Sequence, residues 1–395
     1  MRLECWGKRI VADFIWSEHW YLDENEAWFV GGSIKALFKA DLIKNECHLI
    51  AIIPESDIYC SRSYPGCLKV GDKIFCLPYE GDVIWTYDLI CNVWKEIMIS
   101  NPQKKEIGIW NFWRDGELLW CIAKGLKQII KVNLKNESIE GYWDITANHE
   151  EKFGNAILVG EKIYIVSASA PRVYIFNLRS FQVSMHVIPD IEDKLFAIAY
   201  DGEKFWLSGY KRMIYVWNEQ YDTVKTLVDF PERFGTYSRI DMVEKFWDEN
   251  MIAFFDSICI EDNVFFLPLR VNQIIYFNKN TLKANVLEIE NEDETPEELQ
   301  SGRRAFGDKY TLAYIRKCFI GIYSLRNKIV FEIDTRDMKI QYKRFFIEER
   351  DKNLVEEREI LNCIKAIEEN GIYDNSSSDV WRQIGKSIHE NIIKD

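Results

Sequence analysis

Five histidines are the first place to look for chemistry: His19, His48, His149, His186 and His389. They fall in five separate segments with no HxH or HxxxH spacing, whereas a zinc site needs several His or Cys ligands converging on one point. The ten cysteines form no CxxC pair, and Cys47-His48 is the one adjacent combination. Neighbouring residues of a strand point to opposite faces, which argues against a metal shared by that pair. No GxSxG nucleophile turn, P-loop or GxGxxG fingerprint occurs. The expectation is a chain without metal or cofactor, leaning toward a non-catalytic role.

What remains is scattered. Asp57, Arg62, Tyr64, Asn111, Arg114, Asn155 and Arg172 stand near turns, where loops from different segments could bring acids and bases together. Each is also an ordinary turn former or solvated charge. Trp16, Trp20, Trp110 and Trp113 offer flat apolar rings with a polar handle, suited to a sugar or a peptide, or to core packing. The candidate ligand-binding set is therefore Trp16, Trp20, Arg62, Tyr64, Trp110, Trp113, Arg114 and Arg172.

The elements that must position these residues follow a repeat. A polar turn and an aliphatic–aromatic pair are followed, about fourteen residues later, by Asp or Asn after a β-branched or aromatic run. Gly71-Asp72-Lys73-Ile74-Phe75 leads to Ile84-Trp85-Thr86-Tyr87-Asp88-Leu89, and Gly160-Glu161-Lys162-Ile163-Tyr164 leads to Val173-Tyr174-Ile175-Phe176-Asn177-Leu178. The anchors are Asp41, Asp88, Asn133, Asn177, Asn218, Asn278 and Asp334, a blade-sized period with two insertions. Asx side chains bond backbone groups two residues on and so start tight turns. The signals Asp115-Gly116 and Asp201-Gly202 are expected to turn the chain at the other end of the blade. One four-stranded sheet cannot bury both faces alone, but sheets packed radially can. The fold class is therefore all-β: a seven-bladed β-propeller of four-stranded antiparallel blades over residues 1–347. Closure is expected from an N-terminal strand, Arg2–Trp6 or Ile10–Phe14, lent to the last blade.

Ala27-Trp28-Phe29-Val30-Gly31-Gly32 resembles the strand-plus-diglycine element of kelch-type propellers. Tyr87 and Trp94 are similar to that family's later Tyr and Trp positions. The resemblance runs over roughly residues 14 to 347 as a pattern, with one diglycine and one such tryptophan. It implies a propeller but no activity, since kelch-like blades serve sugar isomerases, oxidases and pure binding platforms alike.

The insertions fall near Asp229–Asn250 and over Glu288–Glu298. The second contains no basic residue and reads as a solvated loop. Both are candidate edges of a binding face. From residue 348 to 395 the pattern becomes helical: Leu354, Leu361 and Ile364, then Trp381, Ile384, Ile388 and Ile392 on one face. This short α-helical C-terminal tail is expected to pack on the propeller or to assist a partner.

Aromatics at 14% suit pleated, half-buried strands. A net charge of −13 disfavours nucleic acid. No apolar run approaches the roughly 18 residues of a membrane span, and the N-terminus lacks the apolar core of a signal peptide. Scattered thiols fit a reducing cytoplasm. The primary expectation is a non-catalytic module binding a protein or peptide through its loop-rich face. The alternative is a carbohydrate-active enzyme or sugar-binding protein using the mouth of the central channel.

Overall fold

The computed structural model describes residues 9–11, 19–31, 35–54, 64, 66–79, 81–99, 107–231, 234, 252–268, 274–287, 310–324 and 329–354. It is a seven-bladed β-propeller. Blades one to seven span residues 21–52, 66–98, 109–144, 153–187, 195–227, 254–287 and 310–343, and each lays four antiparallel strands side by side in chain order.

The seven Asx anchors act as turn starters. Asp41 accepts the N–H groups of Ile43 and Lys44 at 2.9 Å, and Asn177 those of Arg179 and Ser180 at 2.9 Å. Asp88, Asn133, Asn218, Asn278 and Asp334 each accept at least one such bond. Four residues after every anchor the chain enters the left-handed region: Asn45, Asn92, Glu137, Phe181, Asp222, Leu282 and Met338 have φ of 50–59°. This is how a tight hairpin matches the twist of its two strands.

The turns joining first and second strands lie at the same end as the anchors, not at the opposite end. In an antiparallel meander the first and third turns share a side, and the registers fix it: Asp88 pairs with Lys73, the first residue of the second strand. The residue after the anchor also donates to the carbonyl of that earlier turn, as Leu89 does to Asp72 at 2.8 Å and Leu134 to Glu117 at 2.8 Å. Gly116 (φ 58°) supplies the left-handed residue of one such turn, while Glu24, Glu261 and Lys317 hold that station without glycine. One face of the disc is therefore a uniform turn face. At the other, the crossover face, each blade's fourth strand ends and the next blade's first strand begins.

Among the described residues seven buried apolar clusters occur, one at each contact between neighbouring blades. The cluster joining blades seven and one holds Trp20, Phe29, Phe38, Tyr314, Tyr323 and Ile347. His19 and Trp20 donate backbone bonds to Leu312 and Ala313 at this seam. The expected closing strand does exist, but over Arg9–Val11 and on a different blade. Phe346–Glu348 pairs in parallel with the outer strand of blade one, Glu46–Ile52, and Arg9–Val11 pairs antiparallel with Phe346–Glu348. The last blade fills its own four places, and these two segments extend the outer edge of blade one instead. A helix over residues 349–354 follows, and Leu49 N–H bonds its Asp351 at 3.2 Å. The remainder of the expected helical tail, Arg2–Trp6, Glu288–Glu298 and most of the Asp229–Asn250 insertion lie outside the described residues. No helix among the described residues is long and apolar enough to cross a membrane.

Candidate functional site

The innermost strand of each blade begins at the crossover face. In blades three to seven it carries a one-residue bulge near that start, at Ile109/Asn111, Phe153/Ala156, Leu195/Ala197, Phe254/Asp256 and Leu312/Tyr314. A bulge bends the strand and re-aims side chains.

Asn155, itself buried, donates its amide to the carbonyl of Phe255, tying blade four to blade six past the blade between them. Lys124 Nζ lies 3.4 Å from Asn155 Oδ1 and 5.9 Å from the centre of the Trp110 ring. Edge contacts to that ring come from His19 at 5.9 Å and Tyr79 at 5.6 Å. His19 (φ 51°) reaches this point from the seam of blades seven and one. Asp256 accepts the Ser257 N–H at 2.8 Å and a bond from Asn155.

His19, Trp110, Lys124 and Asp256 keep partial exposure around this tie, yet protein surrounds them on most sides. Loss of bulk water, helped by the Lys124 charge, lowers the His19 imidazole to about 4, so it is neutral at pH 7. Burial lifts the Asp256 carboxyl to about 6, against the pull of its hydrogen bonds and of Lys124. The axis thus presents an ammonium, a neutral imidazole, a carboxylate and a carboxamide beside an indole. The carboxamide oxygen of Asn111 is buried without a hydrogen-bond partner. Among the described residues no three His, Cys, Asp or Glu side chains are grouped to hold a metal ion.

Of the residues singled out from sequence, Trp110 and Asn155 come together here. Trp113 packs partly buried against the cluster between blades three and four. Trp20 stacks on Phe29 (centroids 4.3 Å apart) in the core, and Tyr64 is buried between blades one and two. Arg114 lies at the turn face, its Nε donating to Gly116 O at 2.8 Å. Trp16, Arg62 and Asp57 lie outside the described residues.

Arg172 is at the crossover face in an ion pair with Glu151 at 2.6 Å. Glu151 is buried and also accepts the hydroxyls of Ser167 and Tyr174. One blade on, Asp193 takes the equivalent place, accepting Tyr210 N–H, Lys211 N–H and the Tyr215 hydroxyl at 3.1, 3.0 and 3.3 Å. Its burial raises its carboxyl above the usual range. This brace, an acid two residues ahead of the inner strand bonded to a tyrosine on the third strand, was missed by sequence reasoning. Its signal is the acid–tyrosine spacing of 23 and 22 residues in consecutive repeats.

No family model matches the sequence, and no curated protein does. Solved structures are similar in fold. A catalytically inactive virginiamycin B lyase from Staphylococcus aureus with quinupristin superposes with a TM-score of 0.57 and 9% identity, over 80% of this chain and 95% of that one. The computationally designed Ika8 protein gives 0.51 and 7%, over 82% and 86%. A chain of the mitotic checkpoint complex gives 0.50 and 9%, over 87% and 94%. At these identities the likeness concerns fold alone.

Proposed function

We propose that this propeller is a non-catalytic binding module that takes a protein or peptide segment on its crossover face, over the axial cluster. The observation that carries this reading is the convergence of His19, Trp110, Lys124, Asn155 and Asp256 from blades three, four and six and the seam of blades seven and one. None of them belongs to the repeat that builds the blades, and they mix charge, hydrogen-bonding groups and an aromatic ring as binding surfaces do. The Trp110 ring is already met by His19, Tyr79 and Lys124, which favours a polypeptide lying across the cluster over a sugar stacked on that ring. A kelch-type origin is part of the proposal, supported by the Tyr87–Trp94 pair, whose rings lie 4.7 Å apart across neighbouring strands.

The test is a photo-crosslinking amino acid placed, in the cell that makes the protein, at exposed Lys152 or Lys194 on the crossover face and at Ile43 on the turn face. Specific adducts are expected from the first two positions. The purified partner should then bind Trp110→Ala and Lys124→Ala variants at least about tenfold more weakly, the loss of one central contact. Adducts from position 43 alone, or undiminished binding by both variants, would overturn the reading.

A further inference from the structure

The gap between blades two and three shows how the ring accommodates two lysines on its turn face. Lys73, first residue of the second strand of blade two, and Lys95, in its fourth strand, both meet Glu137 from the left-handed position of the next blade's turn. Lys73 bonds one carboxylate oxygen and Lys95 lies 3.6 Å from the other. The Glu137 side chain is only 15% exposed.

Three blades further round, Lys204 and Lys225 occupy the same stations. Lys73 lies opposite the anchor Asp88, and the pairing of Phe205 with Trp217 sets Lys204 opposite the anchor Asn218. Lys95 pairs with Thr86 and Lys225 with Val216, each two residues before its anchor. The residue that faces them from the left-handed position of blade six is Leu282 (φ 58°), which has no carboxylate to give. Where Glu137 fills its gap, a cavity of about 180 Å³ stands instead, with Lys204, Lys225 and Leu282 on its walls beside Trp206. Lys279 adds a third ammonium.

The nearby acids leave this arrangement unanswered. Asp201 also lines the cavity, but its oxygens take the turn N–H groups of Glu203 and Lys204 and the Trp206 indole N–H. Glu203, at 3.5 Å from Lys204, and Asp262, at 3.5 Å from Lys279, are 72% and 63% exposed. Water screens such pairs strongly. Lys279 also donates to the Glu261 carbonyl at 2.8 Å. Among the described residues Lys225 makes no ion pair.

We propose that the cleft between blades five and six binds a carboxylate, from a partner's glutamate side chain or a small dicarboxylic acid, in the place that Glu137 takes between blades two and three. The site is on the face opposite the axial cluster and is independent of it. A charge-assisted bond to a partly enclosed carboxylate gives the cleft its preference.

The test uses the full chain with selectively ¹³C-labelled lysine, assigned through Lys204→Gln, Lys225→Gln and Lys279→Gln. Glutarate and an acetyl-Gly-Glu-Gly-amide peptide are titrated at constant ionic strength against sodium chloride. Saturable shifts confined to these three lysines are expected, with binding about fivefold weaker in Lys225→Gln. Leu282→Glu supplies the carboxylate from within, as Glu137 does at its own φ of 53°. It should raise the melting temperature and weaken both probes at least tenfold. Response to the peptide alone identifies a protein side chain as the source, and response to glutarate a small acid. Absence of saturable shifts, equal shifts with chloride, or unchanged binding by a folded Leu282→Glu chain would overturn the proposal.

Discussion

His19 and Asp256 sit in the same surroundings and are pushed in opposite senses of stability. His19, near 4 instead of 6.5, holds fewer protons folded than unfolded between those values. Its contribution therefore falls as pH drops from 6.5 toward 4. Asp256, near 6 instead of 3.8, holds more protons folded, so its contribution rises as pH drops from 6 toward 4. The two largely offset each other in the native chain. Asp256→Asn should therefore lose more stability between pH 7 and pH 5 than the parent, and His19→Gln less. Each difference is on the order of 1 kcal/mol. Melting curves at the two pH values check this, and identical pH shifts in all three chains would refute it. The thiols bear on pH differently. Cys67, buried and donating to Trp28 O at 3.2 Å, is pushed up to about 12 by burial, so it stays protonated and unreactive in the physiological range. At this scale the sequence was informative about residue type and silent about convergence. Trp110 and Asn155 were visible as candidates, but Lys124, His19 and Asp256 join them only because distant strand ends meet at one axis.

The blade is a more legible unit. Its Asx anchors could be read directly, because an Asp or Asn side chain is one of the few that can accept the N–H groups two and three residues on. Asn177→Ala should cost about 1 kcal/mol by removing two such bonds, whereas Asn177→Asp should be near neutral, since Asp holds the same station at 41, 88 and 334. Urea unfolding of the two variants separates the outcomes, and equal destabilisation would count against the turn chemistry. Two other features of the blade had no such signature. The left-handed station after the anchor is filled by Asn, Glu, Phe, Asp, Leu or Met, none of them glycine. Contacts there offset the backbone strain: Phe181 stacks on Trp143 with centroids 5.0 Å apart, and Asp222 accepts from the Trp217 indole at 3.2 Å. The bulges were equally hidden, because one additional residue in a buried strand leaves the run of apolar and aromatic residues unbroken.

For the whole ring, count and class followed from repetition, while closure did not. A three-residue parallel strand over Phe346–Glu348 has no length or periodicity to betray it, and its residues adjoin a segment of helical pattern. Ile347, paired with Cys47 of the outer strand of blade one, is buried in the same cluster as Cys47 and Phe345. Ile347→Asp should destabilise the chain by about 3 kcal/mol or more through an unpaired buried charge. It should also free Arg9–Val11, which pairs only with that strand among the described residues. Limited proteolysis is then expected to cut near residues 9–11 before the blades, and an unchanged cleavage order would argue against the attachment. The two segments that meet on this rim have one more implication. Every blade is a single uninterrupted stretch of chain, and Arg9–Val11, ahead of the first, lies beside Phe346–Glu348, beyond the last. Blade order around the wheel, not the point at which the ring is opened, is what defines the fold. A gene reopened between blades four and five, with residue 348 joined to residue 9 by a short linker, would encode the same ring.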